Sequence, residues 1–176
     1  NQCVNGEAFE FGTVFAAEMG ITLKIDDDRS SLYNAKADLS FFIKNNNGSV
    51  YQIRLGEYFV SEVSRHVKNV TIKAYDRMLW FDKPIDEAFR GTIPEALAHI
   101  SEKCGVPIAY EPTIDFPSIF ANGSLIIEFD ASKASSYREV LSQICKLTFS
   151  FGKIGWGGDF ILCKFSEKSA KRITPQ

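Results

Sequence analysis

The sequence predicts an α+β protein: a small antiparallel β-barrel domain over residues 1–84, an α+β domain over residues 85–168 and a polar tail over 169–176. Three observations carry this. Short stretches with a period of two, separated by turn residues, fill the first half. Two amphipathic stretches of helical period, each opened by a capping box, occur only in the second half. The texture changes at Lys83-Pro84, where alternating strands give way to helix signals.

Residues 1–6 are polar. Phe9 and Phe11 alternate before Gly12, and residues 13–17 fit either a strand or one helical turn. Ile21, Leu23 and Ile25 alternate with Thr22 and Lys24, so a strand runs through 19–25. Asp26-Asp27-Asp28 reads as a solvated turn, because a calcium loop needs oxygen ligands spaced along a loop with a Gly and a distal Glu, and neither follows. Leu39, Phe41 and Ile43 mark one face of a strand over 37–44. Asn45-Asn46-Asn47-Gly48 makes a hairpin turn, with Asn-Gly the strongest part of the signal.

A strand over 49–55 follows and Gly56 breaks it. A second strand spans 57–65, a polar link covers 66–69, and a third strand covers 70–75. There Val70, Ile72 and Ala74 face inward while Thr71 and Lys73 face out. Asp76 caps a short helical turn carrying Met78, Leu79 and Trp80.

In the second half, Thr92-Ile93-Pro94-Glu95 is a capping box. Its helix presents Ile93, Leu97, Ile100 and Cys104 on one face and stops at Gly105. Residues 106–110 read as a strand, 111–122 as an irregular Pro-rich stretch, and Leu125, Ile127 and Phe129 as another strand. Ser136-Tyr137-Arg138-Glu139 is the second box, and its helix presents Val140, Leu141, Ile144 and Leu147. A hairpin closes the region: Phe149 and Phe151 on one strand, a turn at 155–159, then 160–165. The two helix segments echo one another at an offset of 44 residues, a weak internal repeat of helix followed by strand.

Composition fits a folded chain with a real core: 176 residues, 45% hydrophobic, 24% charged and 15 Phe. The net charge of −2 argues against a nucleic-acid-coating surface. No run is apolar and long enough to insert in a membrane. Cys3, Cys104, Cys145 and Cys163 show no CxxC spacing and lie far in sequence from His66 and His99, so no zinc site is expected. Cys104 and Cys145 fall on apolar helix faces and read as reduced core residues. His66 and His99 read as solvated surface residues, His99 on the polar side of its helix. No nucleophile elbow, zincin motif or phosphate loop appears, and no catalytic, cofactor or metal residues are expected. Trp156 sits at the tip of the last hairpin, either folded back on Phe160 or exposed to a partner. Both chain ends look cut from something longer.

Two segments carry a family resemblance. LGEYFVSEV followed by VTIKAYDRM places Gly56, Tyr58, Val60, Glu62, Ile72, Ala74, Tyr75, Asp76 and Met78 in a recurring order. SSYREVLSQICKLTFSF adds Tyr137, Arg138, Val140, Leu141, Ile144, Phe149 and Phe151. Over roughly 49–165 this resembles the baseplate-hub and tail-associated proteins of tailed phages and prophages. The family usually has a Gly before the strand Phe, where this chain has Thr148, and an Asp-Gly turn, where it has Gly-Gly-Asp.

The resemblance implies a structural role in the virion tail. Such hubs close or continue the tail tube at its tip, contact the tube, the distal tail ring and the spike or fibre, and anchor lysin domains further along the chain. It implies a homotrimer for the full-length protein and a monomeric or weakly associated fragment; the charge, motifs and hydropathy lead to the expectation of no cofactor, no sequence-specific nucleic acid and no membrane insertion. The alternatives are part of a tail-associated endopeptidase or lysozyme, a host-surface binding module, and the spike hub of a type VI-like injection machine.

Overall fold

The computed structural model describes residues 4–5, 8–9, 12–24, 32–66, 69–110 and 125–164. Asp26–Asp28, the Pro-rich stretch after Tyr110, the polar tail and Cys3 lie outside them. The architecture is α+β. Two short N-terminal strands, β1 (Val4–Asn5) and β2 (Ala8–Phe9), pair with each other.

Four strands then build one antiparallel sheet: β3 (Glu18–Leu23), β4 (Lys36–Lys44), β5 (Val50–His66) and β6 (Asn69–Tyr75). Their order is β3-β6-β5-β4. The sheet is open, and no closed barrel is formed among the described residues. Register explains the core face. Ile72 lies opposite Ile21 and Val63, and Ala74 opposite Met19 and Val60. Val70, Ile72, Ala74 and Val60 are buried together, while Lys73 is exposed. Burying the β-branched and small members of β6 is what a one-sided antiparallel sheet requires.

Gly56 does not end a strand, contrary to its expected role as a breaker. β5 runs unbroken through it, and the irregularity is absorbed as bulges. Leu55 is the extra residue between the pairs Leu39–Gly56 and Ser40–Arg54, and Ser61 is extra between Val60–Ala74 and Glu62–Lys73. Gly56 takes φ +148°, a backbone that a side chain rarely adopts, and this lets the strand kink instead of stopping. The Asn45–Gly48 turn forms as expected, with the Asn45 N–H donating to the Ser49 carbonyl at 2.8 Å.

After β6, a 3₁₀ helix spans Arg77–Asp82. Then come β7 (Phe89–Thr92), α1 (Ile93–Cys104), β8 (Ile108–Tyr110), β9 (Ile126–Phe129), α2 (Tyr137–Leu147), β10 (Ser150–Ile154) and β11 (Phe160–Lys164). β7 pairs antiparallel with β9. β10 and β11 form the hairpin, and β8 joins β11 in parallel. The helices start 44 residues apart, at Ile93 and Tyr137, where the sequence echo places them. Each follows a strand of the β7–β9 pair and is followed by a strand of the second small sheet.

The caps hold both helices. Glu95 accepts from the Thr92 N–H at 2.7 Å, and Gly105, left-handed at φ +66°, closes α1. Ser136 accepts from the Glu139 N–H, but the Glu139 carboxylate reaches back to the Ser135 N–H at 2.8 Å, one residue earlier than a capping box requires. Residues from both helices, the 3₁₀ helix and β11 share one core: Met78, Phe81, Ile93, Leu97, Ile100, Tyr137, Leu141, Ile144, Phe160 and Leu162, with Val14 from the N-terminal side. A bridge between Val14 and Gly152 ties residues 12–14 to β10, so this stretch forms neither a full strand nor a helical turn. Met78 and Phe81 precede the Lys83-Pro84 boundary yet belong to this second core.

His99 corrects an expectation. Its side chain is only 15% exposed. It packs 4.9 Å from the Phe89 ring, with Phe129 and Tyr137 beyond, and faces the Glu87 carboxylate at 3.6 Å. Helical spacing alone put it on the polar side; β7 and β9 lie over that side and cover it. Cys145 is buried and Cys104 partly so, and burial pushes their thiols up, to about 12 and about 11. Phe149 takes φ +50° and is exposed, so the left-handed position after α2 is held by a Phe rather than a Gly.

Candidate interaction surface

Pairing with β6 begins only at Phe59, so the hairpin of β4 with Val50–Tyr58 extends beyond the sheet as an arm. Phe41 lies opposite Ile53 and Ile43 opposite Tyr51. By the period of two, these four continue the face that carries Tyr58 and Val60 in the sheet core. Phe42 and Val50 occupy the reverse face. Phe41 is 56% exposed and Phe42 60%, and Ile43, Val50, Tyr51, Ile53 and Leu55 are exposed too. The arm is a run of large apolar side chains with no covering layer among the described residues, the kind of patch that marks an interaction site.

Its base is clamped by charge. Glu57 is buried and receives Lys36 at 2.8 Å, Arg54 at 2.6 Å and Arg77 at 3.2 Å. Arg54 also reaches Asp38 at 3.0 Å. The Lys36 hydrogen bond is the main cause that holds the Glu57 carboxyl below its usual range, with the positive charges of Lys36 and Arg77 and the Arg54 hydrogen bond adding to it against the effect of burial. Arg77 lies over the Trp80 ring at 5.1 Å and the Phe59 ring at 5.7 Å. Gly158, in the β10–β11 turn, has φ +84°, and a Cβ there would come within 2.9 Å of Arg77 Nε.

The motif residues singled out in the sequence occupy structural positions. Val60, Ile72 and Ala74 are in the sheet core, Gly56 is at the kink, and Glu62 is exposed beside Lys73 at 3.7 Å. Tyr75 ends β6 opposite Glu18 and Phe59. Asp76 caps the 3₁₀ helix: its carboxylate accepts from the N–H groups of Met78 and Ala17, both at 3.0 Å. Burial raises the Asp76 carboxyl, and these two amides oppose the rise. Met78, Tyr137 and Leu141 are fully buried. Tyr137 donates to Asp86 at 2.6 Å. Arg138 donates to Asp82 at 2.5 Å and to the Met78 carbonyl at 3.3 Å, and so brings the two motif segments together.

Between the base of the arm and the last hairpin lies a half-open cleft of about 390 Å³, with Ala17 and Asp76 also among its lining residues. Leu55–Tyr58 line one wall, and Lys153–Trp156 with Ile161 the other. Trp156 is 67% exposed, the second of the two placements open to it from sequence. The arm and the cleft were missed as a unit. In sequence these apolar residues read as ordinary strand core, and only the early end of β6 leaves them without a covering strand among the described residues.

Among the described residues, no cluster of His, Cys, Asp and Glu could hold a metal ion, and no helix is long and apolar enough to cross a membrane. The sequence matches no protein-family model and no curated protein. Two solved structures share the fold. The 43 kDa tail protein of prophage MuSo2 from Shewanella oneidensis is 14% identical, with a TM-score of 0.52 over 93% of this chain and 54% of its own. The prophage tail protein gp18 from Listeria monocytogenes is 16% identical, with a TM-score of 0.55 over 84% of this chain and 40% of its own. The chain therefore has the fold of prophage tail proteins, and it spans about half the length of one and less of the other.

Proposed function

We propose that the chain is a structural subunit of a phage or prophage tail, placed in the hub ring at the tail tip. The observation that carries this is the exposed apolar arm on a fold shared with tail proteins. A two-stranded ribbon with apolar residues on both faces is marginal by itself in water and gains its stability from a neighbour. In the ring, the open sheet is completed into a barrel-like wall by neighbouring protein. The full-length protein is trimeric, contacts the tube, the distal ring and the spike or fibre, and carries lysin domains elsewhere in its chain.

The region described here is proposed to be non-catalytic, and a clear zone in a zymogram on bacterial cell walls would overturn that. The main test is placement and incorporation. Antibody label on purified tail particles belongs at the distal tip; label along the tube or at the head-proximal end would sink the hub assignment. Phe41→Asp combined with Ile53→Asp is expected to leave the chain folded while excluding it from tail particles. Normal incorporation of that variant would remove the arm from the interface.

A further inference from the structure

The cleft beside Trp156 has the concavity of a ligand site, within the roughly 300–1,000 Å³ typical of small-molecule pockets. Its two acids are already engaged. Glu57 is held by three cations, and Asp76 by two backbone amides. What remains to meet a ligand is the Lys153 ammonium, the Tyr58 hydroxyl and the exposed Trp156 ring with its indole N–H. Among the described residues the Lys153 and Trp156 side chains have no hydrogen-bonding or charged partner, and the Tyr58 hydroxyl has no hydrogen bond but lies within the field of the Asp76 carboxylate. Lys153 is the one cation among the lining residues, and behind the wall Lys36, Arg54 and Arg77 offset the Glu57 carboxylate. Leu55, Ile154 and Ile161 give the walls an apolar character.

Strand β5 supplies backbone polar groups. Val50–Tyr58 pairs with β4 on one side and carries no strand on the other among the described residues. The bulge at Leu55 and the kink at Gly56 break the regular spacing a peptide strand would need for a ladder along this edge. A compact, ring-shaped ligand with several hydroxyls has no such requirement.

We propose that this cleft binds an anionic sugar unit, with the ring against Trp156, the acidic group on Lys153, and hydroxyls bonded to Tyr58 and the open backbone of β5. A flat apolar sugar face suits an exposed indole, and the acid–ammonium contact is charge-assisted and strong for its size. A carboxylate and a phosphate offer Lys153 the same acceptor chemistry. The cleft shares Leu55–Tyr58 with the base of the arm and needs no second copy of the chain to form.

The test is a titration of the full 176-residue chain followed by ¹H–¹⁵N spectra, with D-glucuronate, glucose 6-phosphate and neutral D-glucose as probes. The Trp156 indole signal is assigned by its loss in Trp156→Phe. At least one anionic sugar is expected to shift that signal and the Leu55–Tyr58 amides saturably, and the one that does so identifies the acidic group. Lys153→Ala is expected to weaken this binding roughly tenfold or more while the rest of the spectrum stays in place. No shift with either anion, equal binding of D-glucose, or unchanged binding by Lys153→Ala would each overturn the proposal.

Discussion

Arg77 donates to the Glu57 carboxylate at 3.2 Å while its guanidinium lies over the Trp80 ring. One side chain thereby couples the base of the arm in β5 to the 3₁₀ helix that enters the second core. Among the described residues the Arg77 Nε has no hydrogen-bond partner, as expected for a group wedged between rings and the Gly158 backbone.

The first prediction concerns acid. The folded-state carboxyl of Glu57 is depressed, so its contribution to stability is fully present above the unfolded value near 4.5 and is lost as pH falls through the lower folded value. Urea unfolding of wild type and Glu57→Gln from pH 3 to 7 should show a stability gap at neutral pH that narrows below about pH 4.5. A gap that is constant with pH would show that the Glu57 charge is not what the three cations recognise.

The second concerns the sheet face. Ile72 is 4% exposed between Ile21 and Val63, whereas Thr71 is half-buried and meets the Thr22 hydroxyl at 3.2 Å. Ile72→Ala should cost about 2–5 kcal/mol, and Ile72→Asp should prevent folding. Thr71→Asp should cost about 1 kcal/mol or less. Equal thermal stability of the two Asp variants would contradict the register.

The third separates backbone strain from crowding. Gly48 and Gly158 both have φ between +80° and +90°. A Cβ at Gly48 meets open space, but one at Gly158 meets Arg77 and Glu57. Gly48→Ala should cost about 1–2 kcal/mol from the left-handed backbone alone. Gly158→Ala should cost more, and should also displace Arg77 from Glu57. Indistinguishable denaturation midpoints would mean that the turn relaxes away from the guanidinium without penalty.

The fourth concerns the arm in isolation. Backbone amides from Phe41 to Ile53 belong to a ribbon exposed on both faces, while those of Val70–Ala74 lie in a covered sheet. In the isolated chain the arm amides should exchange with solvent at least roughly tenfold faster than those of β6. Matching protection would mean that the arm is already covered in solution, by self-association that light scattering across a concentration series would reveal.

The sequence by itself determined what local chemistry controls. Period two set β3, β4 and β6, Asn-Gly set the hairpin turn, and the Thr92 capping box and the Ser136 N-cap set the starts of both helices and their 44-residue offset. These signals depend on residues within one turn or one strand of each other, so they survive without tertiary information. Tertiary structure decided the rest. Gly56 kinks a strand instead of ending one because β4 continues to pair across it. His99 is covered because β7 and β9 pack over the helix side that spacing alone assigns to solvent. The Val70–Ile72–Ala74 pattern and the Phe41–Ile43 pattern look alike in sequence, yet one is buried and the other exposed. The difference is how far the neighbouring strand extends, and no local pattern encodes that length.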